Sequence, residues 1–212
     1  MLCQRRINML VTKIEAVTKT KFKVFLEEQF AFVLYKGELS RYKILEGGVV
    51  SQELVEEIKK EVLEKRAKLR AMHLLNQMER TEEQLRTKLR QNLYPEDVVE
   101  AAMQYVASFG YIGDSKYARR YIDMKQGMKS KREIAAQLRV KGIEEAEIRD
   151  AIEESYEIYD EKKTIQRLLE KKRFCAETAT EEEKKKMYAY LMRKGFRYGD
   201  ISEVIQVSFW NT

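Results

Sequence analysis

The feature that most constrains this chain is a pattern that recurs three times, with divergence, after residue 80. The first copy reads Leu85, Leu89, Asn92-Leu93-Tyr94, then Val99, Ala102 and Met103. The second reads Ile134, Leu138, Lys141-Gly142-Ile143, then Ile148, Ala151 and Ile152, and the third Met187, Leu191, Lys194-Gly195-Phe196, then Ile201, Val204 and Ile205. Counted from the apolar turn residue (Tyr94, Ile143, Phe196), the apolar positions that follow fall at +5, +8 and +9 each time. A period of about 50 residues marks a tandem modular architecture. Each module is too small to bury much apolar surface alone, so neighbours must lean on one another. A string of such units offers a partner a surface rather than a pocket.

Local signals place helices around the repeats. Thr81-Glu82-Glu83-Gln84 and Ser130-Lys131-Arg132-Glu133 match the capping box, in which the hydroxyl accepts from the amide three residues ahead and the Gln or Glu reaches back. Gly142 and Gly195 stand where the helix so opened must stop, in a left-handed conformation that costs glycine least. Leu93 holds that place in the first copy, which predicts a strained or differently shaped turn, and Pro95 suits the start of the next helix. Upstream helices are expected around Ala71–Met78, Ser115–Lys125 and Thr164–Lys171, with Asp114 or Ser115 as a cap and a loop over Phe174–Thr180.

The N-terminal 50 residues differ. Phe22, Val24 and Leu26, then Phe30, Phe32 and Leu34, alternate about Glu27-Glu28-Gln29, the pattern of a β-hairpin. Val11 to Val17 adds a candidate strand and Tyr42-Lys43-Ile44-Leu45 another segment. From Ser51, a helix cap, to Arg80 there is neither proline nor glycine, which predicts one long helix or two joined by a kink near Lys65-Arg66. The expected fold is therefore mostly α. Three tandem three-helix repeats form an elongated, curved array, preceded by a small strand-rich module and a linking helix. The expected boundaries are 1–50 for the strand-rich module, 51–69 for the linking helix, and 70–109, 110–158 and 159–212 for the repeats.

Composition narrows the function classes. A net charge of +6 with Lys+Arg 41 against Asp+Glu 35 favours polyanionic partners, but only if the basic residues are segregated. Cys3 and Cys175 lie far apart and His73 is the single histidine, so neither a zinc site nor a disulfide scaffold is expected, and reduced thiols in the cytoplasm are. The N-terminus is neither a signal peptide nor a membrane span. There is no Gly-rich phosphate loop, no Ser/His/Asp set and no metal-ligand cluster, so no enzyme and no cofactor are expected.

The motifs also carry a resemblance, over about residues 10–207. Thr81-x-x-Gln84-Leu85-x-x-Lys88-Leu89, Gly110-Tyr111-Ile112-x-Asp114-x-x-Tyr117-Ala118 and Ser130-x-x-Glu133-Ile134-x-x-x-Leu138-x-x-Lys141-Gly142-Ile143 follow the order seen in the RecX family, and Lys194-Gly195-Phe196 repeats the last element. The chain departs from the family at Asn92-Leu93, where Lys-Gly is usual, and at Gln137, where a basic residue is often seen. The resemblance implies a cytoplasmic, non-enzymatic protein that binds the RecA recombinase, free or as its DNA filament, and inhibits its ATP hydrolysis and strand exchange; repeats with polar ends need not associate, and a monomer is expected. It also implies that single- or double-stranded DNA is a possible direct partner. It supplies no catalytic residues.

Basic residues recur around the equivalent helix of each repeat and are the candidate contacts: Arg86, Lys88 and Arg90; Lys129, Lys131, Arg132, Arg139 and Lys141; Lys184, Lys185, Lys186, Arg193, Lys194 and Arg197. They could meet an acidic protein surface or phosphate. The competing reading is a solvated helix face with i, i+4 pairs. A DNA-binding protein acting on its own is the alternative function. His73 is read as structural, Tyr117 and Tyr121 as core rather than base-stacking, Asp114 as a helix cap, and Glu144-Glu145 and Glu181-Glu182-Glu183 as helix N-terminal acids. Trp210, after Phe209, is read as packing on the last module.

Overall fold

A computed structural model describes residues 8–155 and 160–205, so Cys3, Phe209 and Trp210 lie outside the described residues. The chain divides into two compact units between Ile112 and Gly113.

The first unit opens with strands β1 (Asn8–Ala16), β2 (Lys21–Leu26) and β3 (Gln29–Tyr35). The alternation about Glu27-Glu28 does make a hairpin, with Val24 opposite Phe32 and Leu26 opposite Gln29. Its two-residue turn puts Glu27 and Glu28 at φ 49° and 67°, as a type I′ turn demands and as glutamate resists. Hydrogen bonds from β1 hold it: the Glu27 carboxylate accepts from the Leu10 N–H (2.6 Å) and the Thr12 hydroxyl accepts from the Glu28 N–H (3.0 Å).

The stretch Tyr42–Leu45 is not a strand. Helix α1 (Lys36–Arg41) precedes it, and Lys43 turns the chain at φ 52°. The Glu38 carboxylate reaches back to the Tyr35 N–H (2.7 Å), nucleating a helical turn that strand periodicity does not reveal. The fourth strand, β4 (Val49–Ser51), instead pairs antiparallel with the start of β1, giving the order β3-β2-β1-β4.

The Ser51 hydroxyl then caps α2 (Gln52–Ile58), accepting from Leu54 N–H at 3.3 Å. The helix runs on through Lys65-Arg66. A π-helical stretch, Lys59–Glu64, carries the helix without a break into α3 (Lys65–Gln77). Helices α4 (Glu82–Gln91) and α5 (Glu96–Ser108) complete a three-helix group with α3. Sheet and helices share one core, running from Val11, Phe32 and Leu34 through Ile58 and Leu63 to Leu85, Leu89, Val99 and Val106. Ala67, Ala71 and Ala102 are fully buried, the small residues that let α3 and α5 approach.

The second unit holds two more groups: α6 (Asp114–Lys125), α7 (Lys131–Val140) and α8 (Glu145–Glu154), then α9 (Glu161–Lys171), α10 (Glu181–Arg193) and α11 (Tyr198–Ile205). Each has its own core, centred on Ile122, Ile134, Leu138 and Ile148, and on Ile165, Leu191, Phe196 and Ile201. The protein is thus mostly helical, with a small N-terminal antiparallel sheet. Asp114 does not precede α6 as a cap. Gly113 takes that position and Asp114 is the first helical residue, where the helix dipole still favours its carboxylate.

The helix stops share one backbone solution. The left-handed residue donates to the carbonyl three back and the next residue donates to the carbonyl five back, at Gly142-Ile143, at Gly195-Phe196 and equally at Leu93-Tyr94. Leu93 therefore keeps the shape and accepts the strain, at φ 63°. Arg173 does the same at the end of α9, at φ 54°.

A candidate partner-binding surface on the helical repeats

Of the two capping boxes foreseen, Thr81–Gln84 closes in both directions (3.3 Å each). Ser130 accepts from the Glu133 N–H (3.1 Å), but Glu133 does not reach back; its carboxylate takes Lys129 (2.7 Å) and faces Lys194 (3.8 Å). The buried Ser130 hydroxyl also donates to the Lys194 carbonyl at 2.6 Å. The start of α7 is thus docked on the α10–α11 turn, and a Cβ on Gly195 would stand 2.9 Å from that hydroxyl. Beside it the Lys131 N–H donates to Glu161 (2.9 Å). Burial pushes the Glu161 carboxyl up from its ordinary range, and burial also lowers the Lys131 ammonium. A third box, Thr180–Glu183, opens α10. It was legible in Thr180-x-x-Glu183 but hidden among three consecutive glutamates.

The candidate cations separate into two classes. In the first class, carboxylates or neighbouring groups occupy the charge. Arg90 grips Glu96 with two hydrogen bonds (3.0 and 2.7 Å) and touches Glu83. Arg139 grips Glu145 in the same way (2.5 and 2.7 Å). The hydrogen bonds from the arginines hold the Glu96 and Glu145 carboxyls below their ordinary value, and Arg90 and Arg139 are raised in return. Arginine and glutamate stand four residues before and two after the turn residue in both repeats, a spacing that was present in the sequence and not read from it. The third repeat has Met192 and Tyr198 at these places, 43% and 47% exposed. Arg86 pairs with Glu100, Lys184 with Glu181 (3.1 Å), and Lys88 donates to Gln91 (3.1 Å). Lys141 lies over the rings of Tyr117 and Tyr121, 5.6 and 5.3 Å from their centroids. Those two tyrosines stack on each other and pack against the core of their group.

The second class comprises Arg132, Lys185, Lys186, Arg193 and Arg197. All are exposed, and none of their side chains closes a hydrogen bond or ion pair with any described residue, although Arg197 lies within electrostatic reach of Glu161 and Lys186 of Glu183. Lys186 and Arg193, seven residues apart, share one face of α10, and Arg197 follows in the turn whose Gly195 lies against Arg132. Among the candidates, those whose side chains close no hydrogen bond or ion pair therefore lie on the third repeat and the start of α7. Outside this surface, His73 is exposed and bonded to Gln77 (3.0 Å), and Cys175 is an exposed free thiol. No helix among the described residues is long and apolar enough to cross a membrane.

Comparison with known proteins places this arrangement. Two family models match, RecX, first three-helix domain, over residues 67–105 and RecX, third three-helix domain, over residues 160–205. Regulatory protein RecX of Clostridium acetobutylicum is 26% identical over 205 residues, covering 94% of this chain and 96% of that one. Regulatory protein RecX of Caldanaerobacter subterraneus subsp. tengcongensis is 27% identical over 202 residues, covering 94% and 100%. A crystal structure of regulatory protein RecX superposes with a TM-score of 0.59 at 25% identity, over 93% of this chain and 98% of that one. The crystal structure of RecX from Lactobacillus salivarius shares the fold, with a TM-score of 0.59 at 24% identity over 68% of this chain and 95% of that one. Strand module, three-helix groups and near full-length likeness agree, and the chain is similar along nearly its whole length to the RecX regulatory proteins.

Proposed function

We propose that this protein is a cytoplasmic, non-enzymatic regulator that binds the RecA recombinase on DNA and inhibits its ATP hydrolysis and strand exchange. It makes contact chiefly through the unpaired cations of the third repeat and the start of α7. The observation that carries the reading is the group of exposed cations Arg132, Lys185, Lys186, Arg193 and Arg197, which close no ion pair with a described residue, on a chain similar to the RecX regulatory proteins. A cation already gripped by a carboxylate must exchange one partner for another, whereas an unpaired one loses only water on meeting an acidic surface. Helical repeats that touch successive protomers of a filament would add effective concentration to each contact. Inhibition further requires that the protein bind one filament state better than another.

The test is ATP hydrolysis by the cognate RecA on single-stranded DNA, titrated with this protein. The expected result is inhibition at substoichiometric amounts. No effect at saturation, together with DNA binding that weakens steeply with salt, would instead support a DNA-binding protein acting alone.

A further inference from the structure

In the first unit, the sheet, α3 and the α4–α5 turn line a cleft of about 590 Å³, with no aspartate or glutamate in its lining. Lys21 from β2 and Arg66 and Arg70 from one face of α3 converge on it. Arg66 is held in place: it lies over the Tyr35 ring (4.5 Å), donates to the Val33 carbonyl (3.3 Å) and pairs with Glu38. Lys21 flanks the same ring at 5.5 Å. Arg70 differs from both. Its Nε is shut off from solvent and has no hydrogen-bond acceptor among the described residues. A guanidinium N–H in that position has given up hydration without replacement, and Arg70 brings its charge to a cleft whose lining sets no carboxylate against it.

The remaining walls are apolar or aromatic, with Tyr35, Tyr94 and the exposed Leu69 among them. Burial raises the Tyr94 hydroxyl's affinity for its proton even with Arg66 and Arg70 close by, so at neutral pH it is a donor rather than a competing anion. We infer that this cleft binds the phosphate of a nucleotide unit, with Arg70 and Lys21 on the phosphate and the base or sugar against the rings and Leu69. The planar guanidinium fork suits phosphate oxygens, and the ring faces accept a base of any identity. The site is separate from the proposed recombinase contacts, and its test involves no recombinase.

The experiment follows the arginine Nε–H resonances of the full chain by NMR at constant ionic strength. The probes are inorganic phosphate, deoxythymidine monophosphate, a short oligothymidylate and oligoglutamate. A saturable shift of the Arg70 resonance with the phosphate probes is expected, with the nucleotide about tenfold tighter than inorganic phosphate through ring contact. Equal affinity of mononucleotide and oligonucleotide per site identifies a free nucleotide as the ligand, and tighter binding of the oligonucleotide a nucleic-acid strand. Arg70→Met and, at the rim, Lys21→Met should each weaken binding about tenfold or more while the circular dichroism spectrum is kept. No shift with any phosphate probe, an equal shift with oligoglutamate, or unchanged affinity in both variants would overturn the assignment.

Discussion

Arg173 and Gly195 occupy the same left-handed turn position with opposite side-chain consequences. Arg173 is exposed and holds φ 54°, a conformation that costs an L-residue roughly 1–2 kcal/mol, partly offset in glycine by its greater unfolded-state freedom. Arg173→Gly should therefore stabilise the protein by about 0.5–1 kcal/mol in chemical denaturation. Gly195→Ala should destabilise it by about 2 kcal/mol or more, because strain is joined by a Cβ placed 2.9 Å from the Ser130 hydroxyl. Glu161 gives the residue scale its pH dependence. Its carboxyl is raised in the folded state, so that state binds the proton more tightly and stability falls as pH rises from the unfolded value toward the folded one. Glu161→Gln keeps an acceptor for the Lys131 N–H and removes the charge. The variant should melt higher than the parent at pH 7, and the difference should vanish below about pH 4.

At the scale of the element, the Arg90–Glu96 and Arg139–Glu145 pairs clasp two of the three helix–turn–helix junctions, and their sign is opposite to that of Glu161. Depressed carboxyls contribute stability above their unfolded value and lose it as pH falls through the folded one. The coupling measured by a double-mutant cycle at either pair should be present at pH 7 and low salt, should decline as pH falls through the carboxyl's folded value, and should be absent in molar salt, since both pairs are exposed. The junctions also show what sequence could reveal. The +5, +8, +9 spacing located the second helix of each junction because core residues must recur on one helix face. Leu93 was readable as strained because only backbone geometry is at issue there. The helix Lys36–Arg41 was not readable, since six residues with no buried side chain carry no hydrophobic period. The Glu133 bridge to the third repeat was hidden for another reason: a capping-box pattern does not say whether the glutamate will turn back or reach forward.

On the scale of the whole molecule, the net charge of +6 says little until it is known which cations are already engaged. Sequence alone placed candidates on all three repeats, three on the first, five on the second and six on the third. The fold removes many of them by placing a carboxylate opposite, a three-dimensional fact for Arg86 and Glu100, fourteen residues apart. What remains is weighted toward the third repeat, and this yields a comparison between two variants of matched charge change. Lys186→Gln with Arg193→Gln removes two cations that make no ion pair among the described residues; Arg90→Gln with Arg139→Gln removes two that are clasped. Net charge falls equally in both, so a contact governed by long-range attraction would weaken equally. If the contact is local, the first variant should lose inhibition of RecA ATP hydrolysis about tenfold or more and the second should keep it within about twofold, each interface charge being worth on the order of 1 kcal/mol or more when desolvated against a partner. Equal losses in the two variants, with both proteins folded, would return the role of these residues to that of a diffuse basic field.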